Sequence, residues 1–313
     1  MRLPDPLREA IEKRVDYAEQ RDLLRAAREL SEAYRAGTGT RMTTSTAALA
    51  YAVARLPATY AAIHHVLREA APRLPAVRSL LDLGGGPGSA MWAAAECFPP
   101  LEKVTVVERD REMVALGRAL SAESPSAAVR EAEWRRENIT TVDAGRHDLV
   151  VLAYVLGELP QRASLLRRAW AAATSLVVIE PGTPRGFEHI LEARSFLLEN
   201  GGSLAAPCPH HWQCPMAAAG DWCHFAERVE RTSLHRLAKG GSLGHEDEKF
   251  SYVVATRIAA PSPRARIVRH PLKHPGHVQL TLCTEGRLER ETVAKSQKER
   301  YRAARQAEWG DAW

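Results

Sequence analysis

Residues Ser79 to Glu108 combine the residue types needed to hold a nucleoside. An apolar run ends at Asp82, and Gly84-Gly85-Gly86-Pro87-Gly88 follows. An Ala-rich stretch then starts at Ser89, and a β-branched run closes on Glu108. Glycines let the backbone turn tightly and admit a ligand to the main chain, while the helix that follows offers unpaired N–H groups and the positive end of its dipole. Glu108 ends the second strand, where a carboxylate can accept hydrogen bonds from both hydroxyls of a ribose. The chemistry implied is binding of an adenosine-containing ligand.

A dinucleotide site favours Gly-x-Gly-x-x-Gly, with a third glycine packing helix on strand. Here Gly84 and Gly86 are followed by Ser89 at that place. Asp82 sits two residues before the first glycine; it would repel a pyrophosphate but suits the ammonium and ribose end of S-adenosylmethionine (SAM). The order Asp82-x-Gly84-x-Gly86-x-Gly88 resembles motif I of class I SAM-dependent methyltransferases. The end of the fourth apolar run, Ala153-Tyr154-Val155-Leu156, has neither the Asn/Asp-Pro-Pro-aromatic pattern for an exocyclic base nitrogen nor a Pro-Cys nucleophile. No catalytic residue is therefore assigned; Tyr154 is a candidate for the pocket wall, and Arg55 and Tyr60 are weaker ones.

A second constellation lies downstream. Four of the five cysteines are Cys208, Cys214, Cys223 and Cys283, and the first three fall in an irregular Pro-rich stretch with Trp212 and Trp222. Such a loop has no obvious core of its own, so an inorganic centre that gathers thiolates would supply its folding energy. Zinc and an iron-sulfur cluster both accept four thiolates. Paired Cys-x2-4-Cys knuckles are absent, while His210, His211 and His224 would permit a mixed zinc site; spacing alone leaves both metals open. Cys97 reads as a small packing residue.

The chain has 313 residues and a net charge of +5. From Arg257 onward there are twelve Lys and Arg against six acids, so the C-terminal fifth carries the excess. Arg264, Arg266, Arg269, Lys273, Lys295, Lys298, Arg300, Arg302 and Arg305, interleaved with Tyr301, Trp309 and Trp313, form a candidate RNA-binding set. DNA is not expected as a partner. No apolar run reaches the length of a membrane span, since Arg55 and Pro57 interrupt Thr43 to Ile63. The charged start, with Asp5, Glu9 and Glu12, resembles neither a secretory leader nor a transit segment. A cytoplasmic location is expected, where thiols stay reduced.

These residues need a scaffold. Helical spacing over residues 7–36, with Leu7, Ile11, Val15 and Ala18 on one stripe, the turn Gly37-Thr38-Gly39-Thr40 and a helix after Pro57 give an N-terminal helical region, 1–75. Strands and helices then alternate through 76–200. Strands are expected at Ala127–Trp134, His147–Tyr154 and Ser175–Glu180, and helices at Arg111–Ala122, Arg162–Ala173 and Phe187–Glu199. That alternation predicts an α/β fold with a doubly wound parallel sheet, whose ligands bind at the carboxyl ends of the strands. A Cys-rich metal-binding loop occupies 201–249. Late strands Phe250–Arg257 and Val278–Cys283 and the basic extension complete 250–313.

Taken together, the glycine loop, Glu180-Pro181-Gly182-Thr183-Pro184-Arg185-Gly186, the cysteine loop, Lys249-Phe250-Ser251-Tyr252 and the tail Tyr301-Arg302-x-Ala304-Arg305-x4-Gly310-Asp311 resemble the mitochondrial small-ribosomal-subunit methyltransferase-like family, called methyltransferase-like protein seventeen in animals, and its bacterial relatives. The resemblance runs from about Tyr51 to the end. It implies a class I methyltransferase fold and association with small-subunit ribosomal RNA during assembly or translation. It also implies a 4Fe-4S cluster on Cys208, Cys214, Cys223 and Cys283. Methyl transfer to ribosomal RNA is the alternative activity.

Overall fold

Three apolar runs organise the molecule: β1 (Ser79–Leu83), β4 (His147–Ala153) and β5 (Ala173–Pro181) are buried over almost their whole length. Strands apolar on both faces need cover on both faces, which a sheet between helical layers provides. The computed structural model describes residues 1–15, 20–36, 42–232, 235–236, 243–259 and 261–313. The expected turn at Gly37-Thr38-Gly39-Thr40 and the position of Ala18 lie outside the described residues.

The N-terminal layer contains α1 (Asp5–Val15), α2 (Gln20–Ala36), α3 (Ser45–Ala54) and α4 (Leu56–Ala70). Thr44 opens α3 by accepting the Ala47 N–H at 3.1 Å, and Pro57 sits in the first turn of α4, where its missing N–H costs nothing. After β1 come α5 (Ser89–Cys97), β2 (Lys103–Val107), α6 (Arg111–Ser121), α7 (Ala127–Arg130) and β3 (Glu133–Arg135). The single strand expected over Ala127–Trp134 is thus a helical turn followed by a short strand. After β4 come α8 (Arg162–Ala172), β5, α9 (Pro184–Glu199) and β6 (Ser203–Ala206). Then follow α10 (Pro215–Ala218), β7 (Phe225–Glu230) and β8 (His245–Thr256).

The large sheet runs β3-β2-β1-β4-β5-β8-β6, with β7 also paired to β8. The first five strands are parallel. β8 enters antiparallel to β5, in register Ser175↔Thr256 to Pro181↔Phe250, and its far edge takes β6 at one end and β7 at the other. β8 is thus an antiparallel strand between two that run the other way, while the five strands on the other side keep the parallel, doubly wound order that the alternation of strands and helices predicts. The period of two is visible in the core: Leu149 and Val151 pack under α4 and α5, while Val150 and Leu152 pack under α8 and α9.

The region expected as an irregular loop therefore contributes two sheet strands, β6 and β7. The late strand expected at Val278–Cys283 is present, and with the residues expected as a basic extension it forms a second sheet. β9 (Arg266–Ile267), β10 (Leu272–His274), β11 (His277–Cys283) and β12 (Leu288–Ala294) form it, with the helix Lys298–Gln306 packed on top. The chain end closes back on β9: Ala265 and Trp313 exchange N–H···O bonds of 3.0 and 2.9 Å.

Helix α9 begins three residues earlier than its apolar stripe, because Thr183 accepts the Gly186 N–H at 3.1 Å and Pro184 fills the first turn. A Cβ at Gly186 would lie 2.0 Å from the Pro181 carbonyl oxygen, a backbone atom that cannot step aside. Gly186→Ala should destabilise the fold by about 1–3 kcal/mol, read as a lower denaturant midpoint at constant m-value; an unchanged midpoint would show that this close approach is not a constraint.

Candidate functional site

The strand order reverses beside β1, with β2 on one side and β4 on the other, so a crevice opens at the carboxyl ends of these strands. Gly84 and Gly86 after β1, Glu108 to Asp110 after β2, Glu137 to Ile139 after β3 and Ala153 to Val155 after β4 line it, and Met42 and Tyr51 of the helical layer close one side. Together these residues line an open cleft. Gly84, Gly86 and Gly88 have φ of 76, 54 and 90°, conformations that a side chain resists.

Sequence and structure agree on part of this wall. Glu108 is there, each carboxylate oxygen already accepting a main-chain N–H: Gly86 at 3.0 Å and Asp110 at 2.9 Å. It thereby staples the glycine loop to β2. Asp82 lies beneath the loop rather than on the wall: it is 2% exposed, receives the Ala90 N–H, and its Oδ2 is buried without a partner. Gly88 caps α5 and is likewise behind the wall. Burial and the Glu108 charge push the Asp82 carboxyl up to about 7; burial also raises Glu108 and Glu158. A cleft floored by desolvated carboxyls that repel one another accepts a ligand bringing positive charge and disfavours a diphosphate.

Tyr154 stands at the tip of β4 with φ 60°, and its hydroxyl donates to Glu248 at 2.9 Å. Arg55 donates to the same carboxylate oxygen at 3.4 Å, so its tie to the cleft runs through Glu248. Tyr60 is on the far side of α4, bonded to Glu96 at 2.7 Å. Sequence reasoning missed Met42, Tyr51, Asp110, Glu137, Asn138 and Glu158, whose only shared signal is position just beyond a strand or within the Ala-rich helices.

The four downstream cysteines arrive from separate elements. Cys208 follows β6, Cys214 caps α10, Cys223 precedes β7 and Cys283 ends β11. All four line one pocket, with Phe187, Ile190 and Arg194 of α9, Tyr252 of β8, His210 and Arg266. They form no disulfide. Burial pushes the Cys283 thiol up to about 12 and the Cys208 and Cys223 thiols above their ordinary range, with the neighbouring cysteines adding to the rise in Cys283 and Cys223.

Among the described residues, no three His, Cys, Asp or Glu side chains converge tightly enough to hold a single ion. Of the three histidines only His210 faces this pocket, 3.3 Å from Cys283 Sγ. His211 accepts the Leu204 N–H at 3.2 Å, and His224 stacks on Trp222 with ring centroids 5.3 Å apart. The mixed zinc site is therefore not assembled. Cys97 stands apart on α5, 3.9 Å from the His64 carbonyl.

The candidate RNA-binding residues divide. Arg264, Lys273, Lys295, Lys298, Arg300, Arg302 and Arg305 are exposed. Arg266 is not: at 1% exposure it donates to Pro207 O at 2.8 Å, Gly310 O at 2.7 Å and Glu69 Oε1 at 2.6 Å. It is corrected from a surface contact to an interior tie, because β9 turns its side chain inward. Arg269 is paired to Asp221. The tail tryptophans are also engaged: Trp309 packs edge-on to His224 and His270, and Trp313 donates to Glu291 at 3.1 Å. No described helix is long and apolar enough to cross a membrane.

The family described as "Mitochondrial small ribosomal subunit Rsm22" matches residues 45–313. The human "Ribosome assembly protein METTL17, mitochondrial" is 29% identical over 287 residues, 84% of this chain and 61% of that protein. The "Rsm22-cox11 tandem protein 2, mitochondrial" of Schizosaccharomyces pombe is 28% identical over 340 residues, 87% of this chain and 44% of that protein. The chain thus spans less than two thirds of the length of these relatives. Among solved structures, magnesium protoporphyrin IX methyltransferase from Synechocystis with bound SAM superposes with TM-score 0.43 at 14% identity, covering 70% of this chain and 86% of that one.

The buried Asp82 carboxyl sets a pH dependence. With its folded pKa raised, the native state holds a proton that the unfolded chain releases, so stability falls as pH rises from about 4 to 7 and stays low above. Asp82→Asn keeps the acceptor for Ala90 and removes the titration. Its unfolding free energy should exceed that of the parent at pH 8, by an amount bounded on the order of 4 kcal/mol, with the gain shrinking towards pH 4. A pH-independent difference would refute the assignment.

Proposed function

The chain belongs to the mitochondrial small ribosomal subunit Rsm22 family, and from that premise we propose that it binds SAM, carries a 4Fe-4S cluster and acts on the small ribosomal subunit through its RNA during assembly or translation. The observation that carries this reading is the convergence of Cys208, Cys214, Cys223 and Cys283 on one pocket. Four thiols gathered from four elements onto one pocket match the number of thiolates that a 4Fe-4S centre takes. The cluster would supply cross-links between β6, α10, β7 and β11, which is folding energy for a segment with a small core.

In the cleft, Gly84 and Gly86 would offer main-chain approach, Glu108 the ribose contact, and Asp82 a buried carboxyl below the loop. Tyr154 would lie against the ligand. The exposed Arg264, Lys273, Lys295, Lys298, Arg300, Arg302 and Arg305 would meet phosphates, on the second sheet and its helix. Cys283 at the end of β11 makes the cluster an organiser of that cationic surface.

A second reading, methyl transfer to the bound RNA, draws support from Tyr154: a non-glycine residue held at φ 60° on a ligand-facing wall is the sort of strain found at working sites. SAM supplies the methyl group; the residues at hand would position an acceptor. Labelled SAM incubated with immature small subunits separates the readings, because only a transferase leaves label in RNA.

Cys214→Ser should lose iron together with most of the RNA affinity. Anaerobically purified parent protein should be brown, absorb broadly near about 400 nm and contain iron and sulfide; a colourless protein would overturn the cluster. RNA affinity should fall steeply between about 50 and 200 mM salt if phosphates carry the binding. An affinity indifferent to salt would point to a protein contact instead.

A further inference from the structure

Two arginines face the cysteine pocket from its interior side. Arg194 on α9 is 6% exposed and Arg266 on β9 is 1% exposed. Arg194 Nη2 donates to the carbonyls of His210 at 3.2 Å and Trp212 at 2.6 Å, shaping the loop between Cys208 and Cys214. Arg266 donates to Pro207 O, the residue before Cys208, and to Gly310 O and Glu69. In each guanidinium one N–H remains buried without an acceptor: Nε of Arg194 and Nη2 of Arg266.

The charges do not balance. Among the described residues, of the two buried cations only Arg266 has a carboxylate partner, that of Glu69, which Arg73 shares at 2.7 Å. A buried cation without a counter-charge costs several kcal/mol, and an unmade buried N–H adds to that cost. A 4Fe-4S centre on four thiolates brings a net charge of about −2 and sulfur acceptors on every side. It would satisfy both deficits at once.

We propose that Arg194 and Arg266 are the counter-ions of the cluster, donating their free N–H groups to its sulfurs and setting its reduction potential. The proposal rests on the cluster reading above and adds what the protein does to the cluster. Net charge and hydrogen bonds to sulfur are the levers that tune such centres. Cations beside the cluster favour the added electron, so the arginines raise the potential, while Glu69, by offsetting Arg266, lowers it. Arg266 also makes the cluster a fastener: the same guanidinium holds the start of the cysteine loop, the closing chain end at Gly310 and helix α4 through Glu69.

The test is a potentiometric titration of anaerobically purified protein with dithionite, alongside iron and sulfide content, for the parent, Arg194→Gln, Arg194→Lys and Glu69→Gln. Arg194→Gln should weaken one-electron reduction by about tenfold, a fall of about 59 mV. Arg194→Lys should fall less, and Glu69→Gln should move the potential upward. A merely structural role would change cluster content without these opposite signs. If Arg194→Gln keeps no iron, retention of the cluster by Arg194→Lys supports the need for charge, and loss from both leaves the decision to the sign of the Glu69→Gln shift. Reduction equilibrium constants within about twofold of the parent's in the cluster-bearing variants, or a downward shift in Glu69→Gln, would overturn the counter-ion role. A parent protein without iron would instead overturn the cluster reading itself.

Discussion

One buried guanidinium ties the parts of this molecule together. Arg266 reaches three separate pieces of chain, the Pro207 carbonyl, the Gly310 carbonyl and the Glu69 carboxylate, and it does so at 1% exposure. Burying an arginine is expensive, and removing one partner of such a pair costs about 3–5 kcal/mol. The helical layer, the cysteine loop and the second sheet are therefore coupled, because displacing any one leaves the charge partly unpaired. Without this tie the second sheet would be a small domain with a modest core of its own, built on Ile267, Val278, Leu280, Leu282 and Val293.

The two pockets share a strand. Glu248, near the start of β8, accepts from Tyr154 at the glycine-loop cleft, and Tyr252 and Val253, a few residues on, line the cysteine pocket. Antiparallel β8 is bonded to β5 over Phe250 to Thr256 on one side, and on the other to β7 at its start and β6 at its end. Its geometry is thus fixed by the sheet, and both sites are built on a rigid element. A shift of β8 by one residue would turn its buried side chains to the opposite face and disturb both sites together.

Electrostatics distinguish the pockets. The cleft is floored by carboxyls, with Asp82 and Glu108 pushed upward in pKa by burial, and it accepts positive charge. The cysteine pocket is backed by Arg194 and Arg266 and accepts negative charge. A sulfonium- and ammonium-bearing cofactor and a thiolate-bound cluster are complementary to these fields in that order. The exposed Lys and Arg of the second sheet and its helix form a third surface, suited to phosphates.

Much of this was legible in the residue order. Period-two and period-3.6 patterns located β1, β4, β5 and α9 to within a few residues, since strands buried on both faces leave unbroken apolar runs. The glycine loop with Glu108 was legible because a backbone at positive φ needs glycine locally. The cysteine set was legible because reduced thiols so close in sequence are rare. The rest depended on contacts distant in sequence. The antiparallel entry of β8, the inward turn of Arg266 and the commitment of Trp309 and Trp313 to packing are set by partners many residues away, and local pattern carries no record of partners. The sequence by itself determined which residues are available for two sites. The tertiary structure alone decided that Arg194 and Arg266 stand behind the cysteines, because a side chain's charge is written in its type, whereas its burial depends on what packs over it.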